Sequence, residues 1–427
     1  MQVIQETEYK NRRDRLAKSM DKNSIAIIHS ANYKTRSNDT EYPFRQDSNF
    51  YYLTGFKEDE SCLMIVKKSK SFKTILFVFK KDAAKELWSG KRLGEVEAQK
   101  KFLIDEVYTF DTLEEIYEKN ASKKEVVYFD FKLTYLKFKA LKRFTKGINT
   151  HKNIAQNIEK MRLIKSDAEI KIIKQALNIT KQAHHKAMKV KKISKNEFEL
   201  QATIENIFKK EGAYSDAYTS IVAGGNNANT LHYIENNKAF VDGELILIDA
   251  GCEYEYYASD ITRTIPVNGT FSKAQKELYN MVLNVQLQII EMIKPNILRS
   301  NLQKKSEELL CDGMIKLGIL KGNRKKLIKK QAHKKYYPHG IGHWMGIDVH
   351  DESPYKYPNG KEIPLQKGMI LTIDPGIYCD ENDKTIPKRY RGIGIRIEDD
   401  ILVTATANEN LSIAIVKKID DIEALSI

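Results

Sequence analysis

Three apolar segments of this chain carry acids where a strand interior is expected: ELILIDAG (244–251), GMILTIDPG (368–376) and GIGIRIEDDILV (392–403). Each reads as a β-strand, and an ionised carboxylate in such a setting is costly unless something compensates it. Asp249, Asp374 and Glu398, with Asp260 just beyond the first segment, therefore constrain the fold. Either each acid is held by backbone donors in its own turn, or the strands bring the acids together around cations. The order of the segments favours the second arrangement. Ile248-Asp249-Ala250-Gly251 and Ile373-Asp374-Pro375-Gly376 repeat one pattern at the end of an apolar strand. Each is followed by a turn-rich stretch and a second apolar strand bearing an acid, Asp260 in the first half and Glu398 in the second. A duplicated unit with a site shared by its halves is expected.

Asp249 and Asp260 are eleven positions apart across a segment able to turn back on itself. A hairpin there sets two like charges on one side of a sheet, which requires a proton or a cation between them. Arg263 is the base nearest in sequence and is expected on the other face. The segment HGIGHWMGIDVHD (339–351) adds His339, His343 and His350, three of the nine histidines. Its glycines predict a loop leading into a strand, and no Glu follows His339, so the helical His-Glu-x-x-His zinc motif is excluded. Four carboxylates and an imidazole suit two divalent ions, which lower the pKa of a bridging water from about 15.7 toward about 7 and polarise a carbonyl. The residues alone point to a two-metal hydrolase and leave amide, ester and phosphoester substrates open.

At 427 residues the chain is too long for one ordinary core, and two domains are expected, 1–160 and 161–427. Strands are predicted at 24–29, 49–53, 62–67, 74–79 and 126–129, with helices at 113–119 and 133–144. Ser-x-x-Glu/Gln capping boxes predict helix starts at Ser166, Ser272 and Ser300. No apolar run approaches the roughly 18 residues of a membrane span. The polar start and four scattered cysteines suit a reducing cytoplasm. Lys and Arg exceed Asp and Glu by 14. The densest basic run, 324–335, lacks interleaved aromatics, and no nucleic-acid partner is expected.

The motifs LIDAGCEYEYYASDITRTIPVNG (247–269), HGIGHWMGIDVHD, ILTIDPGIY (370–378) and YRGIGIRIEDDILVT (390–404) resemble those of aminopeptidase P (Xaa-Pro aminopeptidase), a pita-bread metallopeptidase. EYPFRQDSNFYYLTGF (41–56) and ELWSGKRLG (86–94) resemble the amino-terminal domain that accompanies it. The resemblance implies an α+β fold, a duplicated pita-bread catalytic domain preceded by a smaller α/β domain. It implies a cytoplasmic homo-oligomer, dimer or tetramer, acting on peptides with proline at the second position. Two divalent ions, usually manganese (Mn2+), are implied: Asp249 and Asp260 on one, and Asp260, His343, Asp374 and Glu398 on the other. A metal-bridged hydroxide is the implied nucleophile. His232, His339 and His350 match the family's histidines that back the metal ligands and shuttle protons, and the resemblance implies that His350 and His339 steady the substrate carbonyl and the intermediate. Without the resemblance, His232 reads as a buried histidine at a strand end. Tyr218, Tyr378 and Arg396 match positions that orient ligands or histidines. Arg45, Trp88 and Asp39 of the amino-terminal domain are expected to close over the substrate, although Trp88 reads equally as core. The chain departs at Asp374, where the family normally has Glu, a loss of roughly 1.5 Å of reach. Prolidase activity on Xaa-Pro dipeptides and a metal-free peptide-binding module are the alternatives.

Overall fold

The computed structural model describes residues 4–121, 126–132, 150–189 and 194–426, which divide into two units, Met1–Met161 and Arg162–Ile427. The first is built on a six-stranded mixed sheet. Its spatial order is Glu106–Thr109, Phe72–Val78, Cys62–Lys67, Ser24–His29, Val126–Phe129 and Thr150–Asn153. Ser24–His29 runs antiparallel to Cys62–Lys67 and parallel to Val126–Phe129. Its sequence SIAIIH is apolar without alternation because both faces are covered, as in a central strand of an α/β sheet.

The strand expected at 49–53 is a helix, Ser48–Thr54. Its aromatic, β-favouring composition is overridden at both ends. Asp47 caps the start by accepting the Phe50 N–H, and Gly55, with φ at +66°, closes it in the left-handed conformation. The fully buried Arg13 guanidinium then donates to the carbonyls of Leu53 and Phe102, satisfying the ends of two helices. The helix expected at 113–119 forms as Leu113–Asn120. The one expected at 133–144 lies outside the described residues.

The second unit repeats a sheet-and-helix-pair layout. In its first half Leu245–Asp249 lies between Ile221–Gly224 and Thr262–Pro266, all antiparallel. In its second half Asp399–Val403 lies between Ile370–Ile373 and Asn408–Asn410. Gly376–Cys379 pairs separately with Ile393–Arg396. Helices Asp167–Ala187 and Glu197–Lys210 accompany the first half, and Lys273–Met292 and Arg299–Lys316 the second. Ser166 and Ser272 form complete capping boxes. Ser300 does not, because the helix begins two residues earlier than that box requires, with Leu298 at its cap, and the Gln303 side chain is used elsewhere.

The segment joining Asp249 to Asp260 is more than a turn. Cys252–Tyr254 and Tyr257–Ala258 form a small hairpin that also pairs with Ser215–Asp216. Gly251 is required at its root, since a Cβ there would lie 1.8 Å from the Ser259 carbonyl oxygen. Among the described residues no helix is long and apolar enough to cross a membrane.

Candidate metal centre

Strand pairing delivers the acids to one place. Asp249 ends its strand opposite Thr262. Asp260 lies just before the Thr262 strand, with its N–H donated to Asp400 Oδ2 at 3.1 Å. Glu398 sits between two strands of the other half, its N–H bound to the Thr262 carbonyl and its Oε2 accepting from Thr262 Oγ1 at 2.8 Å. One residue, Thr262, thus ties both halves together. Asp374 follows the Ile370–Ile373 strand and donates its N–H to the Ile341 carbonyl at 3.0 Å.

Asp260, His343 and Glu398 each offer a ligand atom within 4.8 Å of the others. Asp249 and Asp374 line the same cavity of about 440 Å³, as do Tyr218, His232, His339, His350 and Arg396. Asp249 Oδ1 and Asp374 Oδ1 are buried without a hydrogen-bond partner. His343 donates Nδ1–H to the Trp344 carbonyl at 3.0 Å, a carbonyl being able only to accept. That leaves its Nε2 facing Asp260 Oδ2 at 3.3 Å, the orientation of a metal-ligating imidazole with a backbone carbonyl behind it.

The electrostatics match. Burial, then the charges of Asp260, Asp374 and Asp249, push Glu398 well above the usual carboxylate range. Burial likewise raises Asp374 to about 7, although His343 and Arg396 oppose it. Burial raises Asp249 too, against the Arg396 guanidinium, whose Nη2 donates to Asp249 Oδ2 at 2.5 Å. Burial pulls His343 down, but Asp260 and Asp374 outweigh it and lift it to about 9. Divalent cations fit such a site. The donors are hard oxygens and one imidazole, two oxygens lack partners, and the charge excess is negative.

His339 has a defined tautomer. Its Nδ1 lies 2.9 Å from the Gly340 carbonyl and must donate there. Burial holds the ring neutral by lowering it to about 4, so Nε2 accepts from the Tyr378 hydroxyl at 2.8 Å. Arg396 Nη1 in turn donates to Tyr378 Oη at 3.0 Å. Tyr378 therefore joins Arg396 to His339. His350 packs edge-on against His343 with ring centroids 4.2 Å apart, and burial followed by the His343 charge lowers it. The Tyr218 hydroxyl is buried, and burial followed by Asp249, Asp260 and Glu398 raises it well above its ordinary value.

Two expectations change. His232 is exposed in the turn after the Gly225–Asn229 3-10 helix, not a buried strand-end histidine. Trp88 is 90% exposed on the Ala83–Ser89 helix, so core packing does not explain it. Arg45, in the same amino-terminal unit, donates to Ser48 Oγ at 2.9 Å. The roles expected of Arg45 and Trp88 rest on the resemblance alone.

Several supports were not foreseen. Arg162 Nη2 donates to Asp348 and Asp351 at 2.5 Å each, and Lys165 Nζ pairs with Asp351 at 3.0 Å, anchoring both sides of His350. The buried Glu197 holds the chain around His232 with four accepted hydrogen bonds. Asp348 and Asp351 lie inside the histidine motif, where two acids beside His350 were a usable signal. Glu197 lies in no motif. Arg263 does face away from the site, where it pairs with Asp399 at 2.7 Å.

Comparisons with known proteins converge. The model of metallopeptidase family M24 matches residues 171–405, and that of the aminopeptidase P N-terminal domain matches 9–128. An Xaa-Pro aminopeptidase of Haemophilus influenzae is 39% identical over 428 residues, covering 100% of this chain and 98% of that protein. The solved structure of proline aminopeptidase P II from Yersinia pestis matches with a TM-score of 0.95 and 39% identity, covering 99% of each chain. Zn-substituted Escherichia coli aminopeptidase P in complex with product matches with a TM-score of 0.94 and 38% identity, over 99% of this chain and 98% of that one.

Proposed function

Because this chain belongs to metallopeptidase family M24, with the aminopeptidase P amino-terminal domain ahead of a pita-bread catalytic domain, we propose that it hydrolyses the bond between an N-terminal residue and a following proline. It is a metallo-aminopeptidase by family, and the finer reading concerns how its residues act. Two divalent ions, manganese in this reading, would be held by Asp249, Asp260, His343, Asp374 and Glu398. When bound, such ions supply Lewis acidity and a water acidic enough to attack near neutral pH.

The remaining residues bind, orient and exchange protons. Arg396 offsets the charge of Asp249 and, through Tyr378, fixes the His339 ring. His350 and His232 donate to the scissile carbonyl oxygen as it gains charge. His339 takes part once substrate displaces the Tyr378 hydroxyl from its Nε2. Asp374 steers the attacking water and receives its proton, the task of a carboxylate acting as general base. An Xaa-Pro bond carries no N–H, so the site recognises the carbonyl and the free amine and needs no acceptor for an amide hydrogen.

The carrying observation is the convergence of Asp260, His343 and Glu398 within 4.8 Å beside two buried carboxylate oxygens that have no partner. The neighbouring exposed Leu87 and Trp88 support self-association through the amino-terminal unit. The test is release of the first residue from an Arg-Pro-Pro peptide by chelator-treated protein, with and without manganese. Release only with metal is expected. Cleavage of Xaa-Pro dipeptides alone makes the protein a prolidase, and tight peptide binding without turnover makes it a binding module.

A further inference from the structure

The loop that carries His339 and His343 is gripped from outside the site by one helix face. Arg299 and Gln303 stand one turn apart at the start of the Arg299–Lys316 helix. Arg299 Nη1 donates to the Gly342 carbonyl at 2.8 Å. Its guanidinium lies 4.7 Å from the Tyr355 ring centroid, and Tyr355 stacks on Trp344, the residue after His343. Gln303 Oε1 accepts the Ile341 N–H at 2.7 Å, while its Nε2 donates to Glu307 Oε1 at 2.9 Å and so fixes which end of the amide faces the loop. The Ile341 carbonyl accepts the Asp374 N–H at 3.0 Å. The His343 N–H goes to Thr372 Oγ1 at 3.2 Å, two residues before Asp374.

Both backbone groups of Ile341 are therefore committed, one to Gln303 and the other to Asp374. Ile341 is fully buried, so its N–H has no solvent to turn to if Gln303 is lost. We propose that Gln303, seconded by Arg299, is a positioning residue: through Ile341 it sets the spacing between His343 and Asp374, the imidazole and the shortened acid of the metal site. The proposal rests on the metal-binding reading above. An acid one methylene short has less freedom to reach an ion by rotating its side chain, so its backbone must be held closer to the right place.

The test uses full-length protein and a reversed hydrogen bond. Gln303→Leu removes the acceptor for Ile341 at similar volume. The exchange Gln303→Glu with Glu307→Gln restores it, since the amide introduced at position 307 donates to the carboxylate introduced at position 303, whose oxygen again accepts from Ile341. Burial lowers the neighbouring His333, and the Glu307 charge, 3.8 Å away, opposes it, so the exchange at position 307 moves His333 further in the direction burial already takes it. Gln303→Leu is expected to weaken manganese binding by about 10- to 100-fold in calorimetric titration. It is also expected to speed amide exchange in 341–345 of the metal-free protein, with the exchanged pair returning both toward wild type.

Unchanged affinity and exchange in Gln303→Leu would overturn the proposal, as would an exchanged pair no better than Leu. If Gln303→Leu fails to fold, the exchanged pair decides alone, wild-type behaviour supporting the clamp and weakened binding overturning it. If wild-type protein binds no divalent ion, the metal reading falls, while amide exchange in metal-free protein still judges the clamp.

Discussion

Glu197 is the strongest test of how the His232 region is held. Its carboxylate is fully buried and faces no cation across a hydrogen bond among the described residues. Oε1 accepts the Gly224 N–H at 2.7 Å and Asn227 Nδ2 at 2.9 Å. Oε2 accepts the Tyr233 hydroxyl and the Lys238 N–H, each at 2.8 Å. Glu197→Gln keeps the shape and changes one oxygen into a donor. Whichever way the amide is turned, its NH2 meets one movable donor and one backbone N–H. The Tyr233 hydroxyl or the Asn227 amide can rotate to accept, but the Lys238 or Gly224 N–H cannot. One buried backbone donor is therefore orphaned, at about 1–3 kcal/mol, and the two surviving bonds lose their charge assistance, about 1 kcal/mol each. Relief of the buried charge offsets part of this, and a net loss of about 2–5 kcal/mol is expected in urea unfolding of the second unit. Amide exchange over 222–240 should rise, and kcat/KM should fall through His232. A loss below about 1 kcal/mol with unchanged exchange would refute the reasoning, because an orphaned donor cannot be that inexpensive.

Gly342→Ala should prevent normal folding, since its Cβ would lie 1.8 Å from the Thr372 carbonyl oxygen, and a soluble variant with wild-type melting would contradict that approach. Asp399, against its burial, is held down at about 2 by Arg263 and Lys417. A depressed carboxylate contributes stability that is complete above about pH 4 and lost as pH falls toward 2. Asp399→Asn should therefore flatten that acid limb and cost about 3–5 kcal/mol at neutral pH by leaving two buried cations unpaired, as equilibrium unfolding across pH will show. Asp374→Glu should retain metal and turnover, because the cavity of about 440 Å³ and the unpartnered Oδ1 leave room for one methylene. Loss of both in metal analysis and peptide assay would show that the shorter acid is tuned to this site. Manganese at 100 times its dissociation constant should stabilise chelator-treated protein by about 2.7 kcal/mol per site, read as a rise in melting temperature.

The features legible in the sequence were those encoded locally. Apolar strands ending in Ile-Asp-x-Gly announced the acid-bearing hairpins, and the boxes at Ser166 and Ser272 announced helix starts, because a cap is formed by residues three apart. The same logic failed at Ser300, where the helix had already begun at Arg299. It failed at 49–53, where aromatic composition suggests a strand and only Asp47 and Gly55 reveal the helix. Long-range supports could not be read. Gln303 reaches Ile341, 38 residues away, and Thr262 reaches Glu398, 136 residues away, and nothing in either local sequence marks the pair. The His339 tautomer likewise depends on Tyr378 and Arg396 meeting in space.

Burial alone does not separate structural acids from functional ones in this fold: Glu197 is held by four neutral donors, whereas Asp399 and Asp351 differ from the four cavity acids in the count of cations around each. Asp399 touches Arg263 and Lys417, and Asp351 touches Lys165 and the Arg162 it shares with the part-exposed Asp348, so each of the two buried acids faces two cations. Both acids are held below the usual carboxylate range despite their burial. Around the cavity the ratio reverses: Asp249, Asp260, Asp374 and Glu398 share the Arg396 guanidinium and the His343 imidazole. Glu398 and Asp374 are accordingly pushed up, and two of the four acids keep an oxygen without a partner. An acid with surplus cations is already neutralised and stabilises the fold. A group with surplus acids is neutralised only when protons or metal ions are added, so its affinity for them is a product of how the strands were paired. The strand ends that set this surplus are in turn tied from behind. Gln286 donates to the carbonyls of Ile373 and Ile397, the residues immediately before Asp374 and Glu398, and Lys417 donates to Gln286. The well-compensated network therefore holds the under-compensated one in place, so that the repulsion among its acids is relieved by taking up cations and not by spreading the strands.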